Sequence, residues 1–397
     1  LPLVIPGAVL AADMKFGGKA TGYGAAYERN VPVGRDTFGE FRIQPELTLR
    51  QGDRWTLFTA GDLRLDSENW ARGVIDDVTE DGHRWIGDVS EAYLEAKDDF
   101  ARLRAGKQIF DWSVTDTVSP SDNISPRDLS DPLEWERLGA PAVDLRLGRD
   151  SFVEVVYLPL FTSSRLPTGR WAPVLPPNVT LGEAETDRSD WQAAARMGTV
   201  LEGCDIGLSA YKGKSYSPGF EVRQEGSQVK AIPVFQDEAV YSLSGAKEIA
   251  GYTMRVEIGY FDQDGADDFV QYVVGLDREW GQVFNPRDAF YILVQYANEI
   301  LVQSDEANPG GNLDFRRIFD NALLYTVRYS FSEHVMVKVR GSRGFSKGDS
   351  FLEPSLGWQQ GAWELNAGLD LLSGPPETFF GGYSHNDRGF LRLIRRF

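Results

Sequence analysis

From about residue 15 to the last residue, the chain is a series of segments in which apolar and polar positions alternate. Phe41, Ile43, Pro45, Leu47 and Leu49 are interleaved with Arg42, Gln44, Glu46, Thr48 and Arg50. An extended backbone sends successive side chains to opposite faces, so such a segment has one apolar and one strongly polar face. Tyr325, Val327, Tyr329 and Phe331 alternate in the same way with Thr326, Arg328 and Ser330. So do Val335, Val337 and Val339 with Met336, Lys338 and Arg340. Trp363, Leu365, Ala367, Leu369 and Leu371 repeat the pattern against Glu364, Asn366, Gly368 and Asp370. A β-sandwich alternates too, so length has to decide. Ordinary strands have about five or six residues, whereas a tilted membrane-spanning strand needs about nine to eleven. The second figure fits here.

The segments lie near 15–28, 38–50, 54–66, 85–97, 100–110, 141–148, 151–161, 190–199 and 203–212. They continue near 229–243, 248–261, 268–280, 289–301, 319–331, 335–344, 350–360, 363–373 and 387–397. The expected fold is all-β: a transmembrane antiparallel up-and-down barrel of about 18 strands, with 16 as the alternative. Connections at Gln51-Gly52-Asp53, Asp98-Asp99, Arg149-Asp150 and around Glu202 are tight. Those near 67–84, 111–140 and 162–189 are long. Short and long connections alternate as periplasmic turns and extracellular loops do, although the turn near 281–289 is long for its side. Pairing across the tight turns sets Glu95 opposite Arg102, Tyr93 opposite Arg104, Leu49 opposite Trp55, Leu47 opposite Leu57 and Arg42 opposite Asp62. Opposite charges then meet on the polar face.

Composition leaves this picture standing. The 397 residues are 42 % hydrophobic, with a net charge of −18. No apolar run reaches eighteen residues, which excludes helical spans. A barrel passes such a test because every second residue faces water. The acidity argues against nucleic acid as a partner. Aromatics make up 12 % of the chain, enough for interfacial girdles. Cys204 is single, so no intramolecular disulfide forms. Residues 1–12, LPLVIPGAVLAA, read as the end of a signal-peptide apolar region with cleavage after Ala11 or Ala12. Leu1 is not Met and no basic region precedes it, which reads as a start cut short. Residues 13–397 are then a single barrel.

The stretch Leu103–Trp112, followed by Thr115–Asp128, is the most individual in the chain. With Glu91-Ala-Tyr-Leu94 before it and Leu158-Pro-Leu-Phe161 after it, it resembles outer-membrane porins of the alginate-export-like kind and related proteobacterial barrels. Gly106, Gln108, Ile109, Trp112, Pro120, Asp122, Pro126, Arg127 and Asp128 carry the resemblance; Ser113 and Ser125 depart from the pattern. It implies a large single-chain barrel in the bacterial outer membrane with a long loop folded inward, and leaves the substrate open. The terminal Phe397, closing an alternating strand, resembles the signature read by the barrel-assembly machinery.

Read physically, 111–140 cannot continue a strand, because Pro120, Pro126 and Pro132 each remove a donor. A loop of about thirty residues calls for a function. Two readings stand: a constriction lined by Asp116, Asp122, Arg127 and Asp128, or a solvated outer loop. Catalysis finds no motif. His83, His334 and His385 lie in separate connections, no Cys/His metal spacing occurs, and no cofactor or enzyme activity is expected. The expected function is a channel for small hydrophilic solutes. The alternatives are an exopolysaccharide secretion barrel and a structural sheath for a partner protein. Partners are outer-membrane lipid, lipopolysaccharide and the cargo itself. The inward faces carry mixed charge with a slight basic excess. Arg42, Asp62, Glu95, Arg102 and Arg104 line one wall. Arg328, Lys338, Arg340, Arg388 and Arg392 form a basic stripe near the closing seam, with Asp122 and Asp128 expected to face it across the constriction.

Overall fold

A computed structural model describes residues 13–28, 36–67, 75–78, 84–167, 169–172, 178–182, 189–226, 228–304 and 314–397. Residues 1–12, read above as a signal remnant, and His83 lie outside the described residues. Eighteen strands form the wall. The first nine are β1 (Asp13–Tyr27), β2 (Thr37–Gln51), β3 (Trp55–Asp66), β4 (Arg84–Lys97), β5 (Ala101–Gln108), β6 (Ala140–Gly148), β7 (Phe152–Leu158), β8 (Gln192–Leu201) and β9 (Cys204–Lys214). The rest are β10 (Asp237–Ile249), β11 (Tyr252–Gln263), β12 (Asp268–Gly281), β13 (Ala289–Gln303), β14 (Ala322–Ser330), β15 (Val335–Gly344), β16 (Ser350–Gln360), β17 (Trp363–Ser373) and β18 (Arg388–Arg396). Each pairs antiparallel with its neighbours in sequence. Strand β1 meets β18, with Tyr23 opposite Arg392, so the sheet closes and leaves no edge.

All eighteen alternating segments are strands, and sixteen is set aside. The tenth begins later than its pattern suggested. Gln228–Val234 pairs with Gly219–Glu225 in a separate hairpin, onto which Val179–Leu181 adds in parallel. The wall strand starts only at Asp237. Alternation runs through both pieces, so period alone cannot mark where the chain changes sheets.

The short connections share one end of the barrel. Glu202-Gly203 and Ala250-Gly251 have φ of 51°, 73°, 53° and 78°, the two left-handed central residues of a type I′ hairpin turn. At 98–100 the connection holds three residues, and Asp98 Oδ1 accepts from Phe100 N and Ala101 N at 2.8 Å each. Asp98 N also donates to Ala101 O, so the turn proper is Asp99-Phe100, one position later than expected, and the pairing shifts by two: Glu95 lies opposite Arg104 and Lys97 opposite Arg102. Across Gln51–Trp55 the shift is again two residues, giving Leu49 opposite Leu57 and Arg42 opposite Arg64. A two-residue slip keeps every side chain on its face, so the face assignment survives while the partners change. The long turn 282–288 is a built structure. Asp288 accepts from the backbone N–H groups of Val283, Phe284 and Asn285 and from Tyr329 Oη.

The outer face of the wall is apolar. Leu57, Val155, Leu208, Leu243, Leu276, Leu356 and Leu391 are all exposed. A continuous band of bare aliphatic side chains is stable against lipid and not against water. The terminal Phe397 is exposed on this face, its ring 5.9 Å from Phe16, and its backbone pairs with Gly18. The inner face is polar, with Asp62, Arg64, Asp144, Glu154, Glu257 and Arg388 all buried. Toward the loop end the interior holds an apolar cluster that includes Val118, Leu129, Leu133, Trp171, Phe315, Phe319, Phe380 and Tyr383. Most of these residues come from loops.

Candidate functional site

The connection from Ile109 to Gly139 turns inward and spans the lumen between opposite walls. Its proline-interrupted backbone cannot join the sheet, so its polar groups need partners inside the barrel. On one side Glu257 of β11, fully buried, accepts from Val114 N at 2.5 Å and from Thr115 Oγ1 at 3.0 Å. Beside it Pro120 lies directly on Gly259, where a Cβ would stand 2.8 Å from the proline Cβ. Only glycine allows that approach. Gln295 Nε2 of β13 donates to Asp116 Oδ2 at 3.3 Å.

The far side of the loop is held by charge. Arg42 of β2 meets Glu136 at 2.7 Å, and Arg64 of β3 meets Asp128 at 3.0 Å. Arg388 and Arg392 of β18 meet Asp131 at 2.5 Å and Glu134 at 2.9 Å. Arg165, from the connection after β7, binds Asp128 at 3.0 Å and Asp88 at 2.8 Å, and Lys107 also meets Asp88 at 3.0 Å. Opposite charges therefore alternate from Lys107 through Asp88, Arg165, Asp128, Arg64 and Asp62 to Arg42. Burial opposes ionisation of Asp128, yet the Arg64 and Arg165 guanidiniums hold its carboxyl well below the usual range. Arg42 does the same for Glu136, and Arg392 with Arg340 for Glu134.

The residues named from sequence fall into three groups. Arg42 and Asp62 are partners at 2.6 Å on the inner face, as diagonal rather than opposite neighbours. Glu95 pairs with Arg104 at 2.8 Å, while Arg102 turns to Asp144 at 2.7 Å and Glu154 at 3.0 Å. The pairing expected between Glu95 and Arg102 is thus corrected by the turn lying one residue later, at Asp99-Phe100. Asp122 does not face the basic stripe. It closes on Arg127 and Arg137 of its own loop, both at 2.6 Å, and Asp128 faces Arg64. The acids that meet the stripe are Asp131 and Glu134. Lys338 at 3.4 Å and Arg340 at 2.5 Å share Glu353 of the neighbouring strand, and Arg328 pairs with Glu279 at 2.7 Å. The stripe is present but compensated. Glu257 and Arg64 lie on the inner face by strand parity, but parity does not reveal that they anchor the loop. Sequence reading missed Arg165 and Arg316 altogether. The alternation of acids with Leu133 and Trp135 along 131–136 was the available signal for the loop's charged edge.

Two cavities flank the loop. The larger, about 290 Å³, lies against β11–β16 and is bounded by Asp116, Asp122, Arg127, Trp135, Gln295 and Arg340 among others. The smaller, about 160 Å³, lies against β1–β3 and β18 and is bounded by Lys19, Glu40, Arg42, Asp131, Glu136 and Arg392 among others.

No protein-family profile and no curated protein matches the sequence. Solved structures do match. OpdK (OccK1) of Pseudomonas aeruginosa, described as an outer membrane protein, aligns over 98 % of each chain at 13 % identity with a TM-score of 0.54. A structure of OpdK with vanillate aligns equally well. OccAB4 of Acinetobacter baumannii aligns over 97 % of each chain at 12 % identity, with a TM-score of 0.53. OccD3 (OpdP) of Pseudomonas aeruginosa aligns over 97 % of this chain and 90 % of its own, at 9 % identity and a TM-score of 0.52. At such identities the likeness establishes the fold. The chain has the closed antiparallel fold of bacterial outer-membrane β-barrels.

Proposed function

We propose that the protein is an outer-membrane channel passing small hydrophilic solutes, with loop 109–139 as its constriction and the long loops at the cell surface. The observation that carries this reading is the loop itself. It is tied at both ends to inward-facing side chains of opposite walls, and a cavity of mixed polar and apolar lining lies on each side of it. A cross-bar pinned in this way narrows a lumen without any moving part, and the volumes beside it suit small molecules of the size of the vanillate present in an OpdK structure. The resemblance of 103–128 to alginate-export-like porins supports the channel reading as well. Export of an anionic polysaccharide is the weaker reading, because such cargo needs a basic pathway. Here Arg42, Arg340, Arg388 and Arg392 each hold a carboxylate. Purified barrel in planar bilayers is expected to give discrete conductance steps. Proteoliposomes carrying it are expected to swell in small sugars and zwitterionic amino acids and not in oligosaccharides. A barrel that folds and inserts without conductance overturns the proposal.

A further inference from the structure

The larger cavity carries four guanidiniums, from Arg127, Arg137, Arg316 and Arg340, and at first sight invites an anion. Each is already neutralised. Arg127 and Arg137 hold Asp122 at 2.6 Å, Arg316 holds Asp314 at 2.6 Å and Glu238 at 2.8 Å, and Arg340 holds Glu353 at 2.5 Å. Arg316 is also buried, between the rings of Tyr216 and Phe261 at 5.4 and 5.0 Å. What lacks a counter-charge is Asp116. Among the described residues no cation lies within salt-bridge distance of its carboxylate, which takes one long hydrogen bond, from the Gln295 amide. The nearby Arg255 is engaged by Asp277 at 2.5 Å. The cavity that Asp116 lines is also lined by aromatic side chains, including Trp135, Phe319, Tyr325 and Phe379.

The geometry points to this cavity as a subsite for a small organic cation with an aromatic or aliphatic body, its ammonium set on Asp116 and its body among those rings. Both halves of such a ligand find what they need: a free carboxylate, and π faces that attract cations as well as apolar surface. The anchoring of residues 114 and 115 by Glu257 and the packing of Pro120 on Gly259 hold Asp116 in position from both sides. The inference rests on the channel reading for its role in transport. The binding it describes is measurable without it.

The test uses tyramine and its carboxylate counterpart 4-hydroxyphenylacetate, which share a phenol ring and carry opposite charges. Calorimetric titration of the detergent-folded barrel is expected to show tyramine binding that weakens roughly three- to tenfold in D116N, with 4-hydroxyphenylacetate binding more weakly. In bilayers, tyramine is expected to lower the potassium current of the natural channel and to do so less in D116N. Binding of tyramine unaffected by D116N, or preferential binding of 4-hydroxyphenylacetate, overturns the subsite. Asp116-dependent tyramine binding in a barrel without conductance upholds the subsite and refutes the channel reading instead.

Discussion

Removing the Glu257 carboxylate tests how the loop is held inside the barrel. In E257A the Val114 N–H loses a fully buried acceptor, while the Thr115 hydroxyl still has Val118 O at 2.5 Å. A donor left unsatisfied in a buried site costs about 1–3 kcal/mol. Water from the lumen recovers part of this, and relief of the buried charge offsets more, so about 1.4 kcal/mol remains for the lost Val114 bond. At about 1.4 kcal/mol per tenfold, the detached population of this arm of the loop rises roughly tenfold. E257Q keeps one oxygen and presents an NH₂ to the second donor, so its effect is smaller. The assay is single-channel recording at fixed voltage. E257A is expected to flicker between conductance levels and to show a higher mean current, with the same heat-modified mobility on gels as the natural barrel. An E257A channel whose noise and mean current match the natural protein refutes the anchoring.

Three further outcomes follow from the same structure. The Arg64–Asp128 bridge joins two buried side chains, so a double-mutant cycle with R64A and D128N, read by denaturant midpoints, should show a coupling of about 1–3 kcal/mol; additive effects would remove Asp128 from the clamp. The loop carboxylates Asp128, Glu134 and Glu136 are lowered, so their contribution is present above the unfolded values and lost as pH falls through the folded ones. Channel noise should therefore stay constant from pH 8 to 5 and rise only below about pH 4, and a rise near pH 6 would contradict the charge clamp. Leu243 is exposed in the middle of β10, so L243R should cost about 2–4 kcal/mol in folding into vesicles, and an unaffected folding yield would mean that this face does not meet lipid.

The alternating period, the eighteen segments, the tight turns and the inward set of charges were legible in the sequence because parity is local. A side chain two residues along a strand returns to the same face whatever the partner strand does. This is why Arg42, Asp62, Arg388 and Arg392 were placed inward correctly while the pairing of Glu95 with Arg102 was not. Moving the turn one residue along the chain, from Asp98-Asp99 to Asp99-Phe100, changes every partner by two and is invisible to the period. The loop's partners lay further out of reach. Asp131 meets Arg388 across 257 positions of chain, and Val114 meets Glu257 across 143. Nothing in the composition of 109–139 says which wall will receive which carboxylate. Those contacts exist only after the sheet has closed, when strands distant in sequence become opposite walls of one lumen. Closure decided that the thirty-residue loop is a cross-bar rather than an outer loop, and that the basic stripe is neutralised rather than bare.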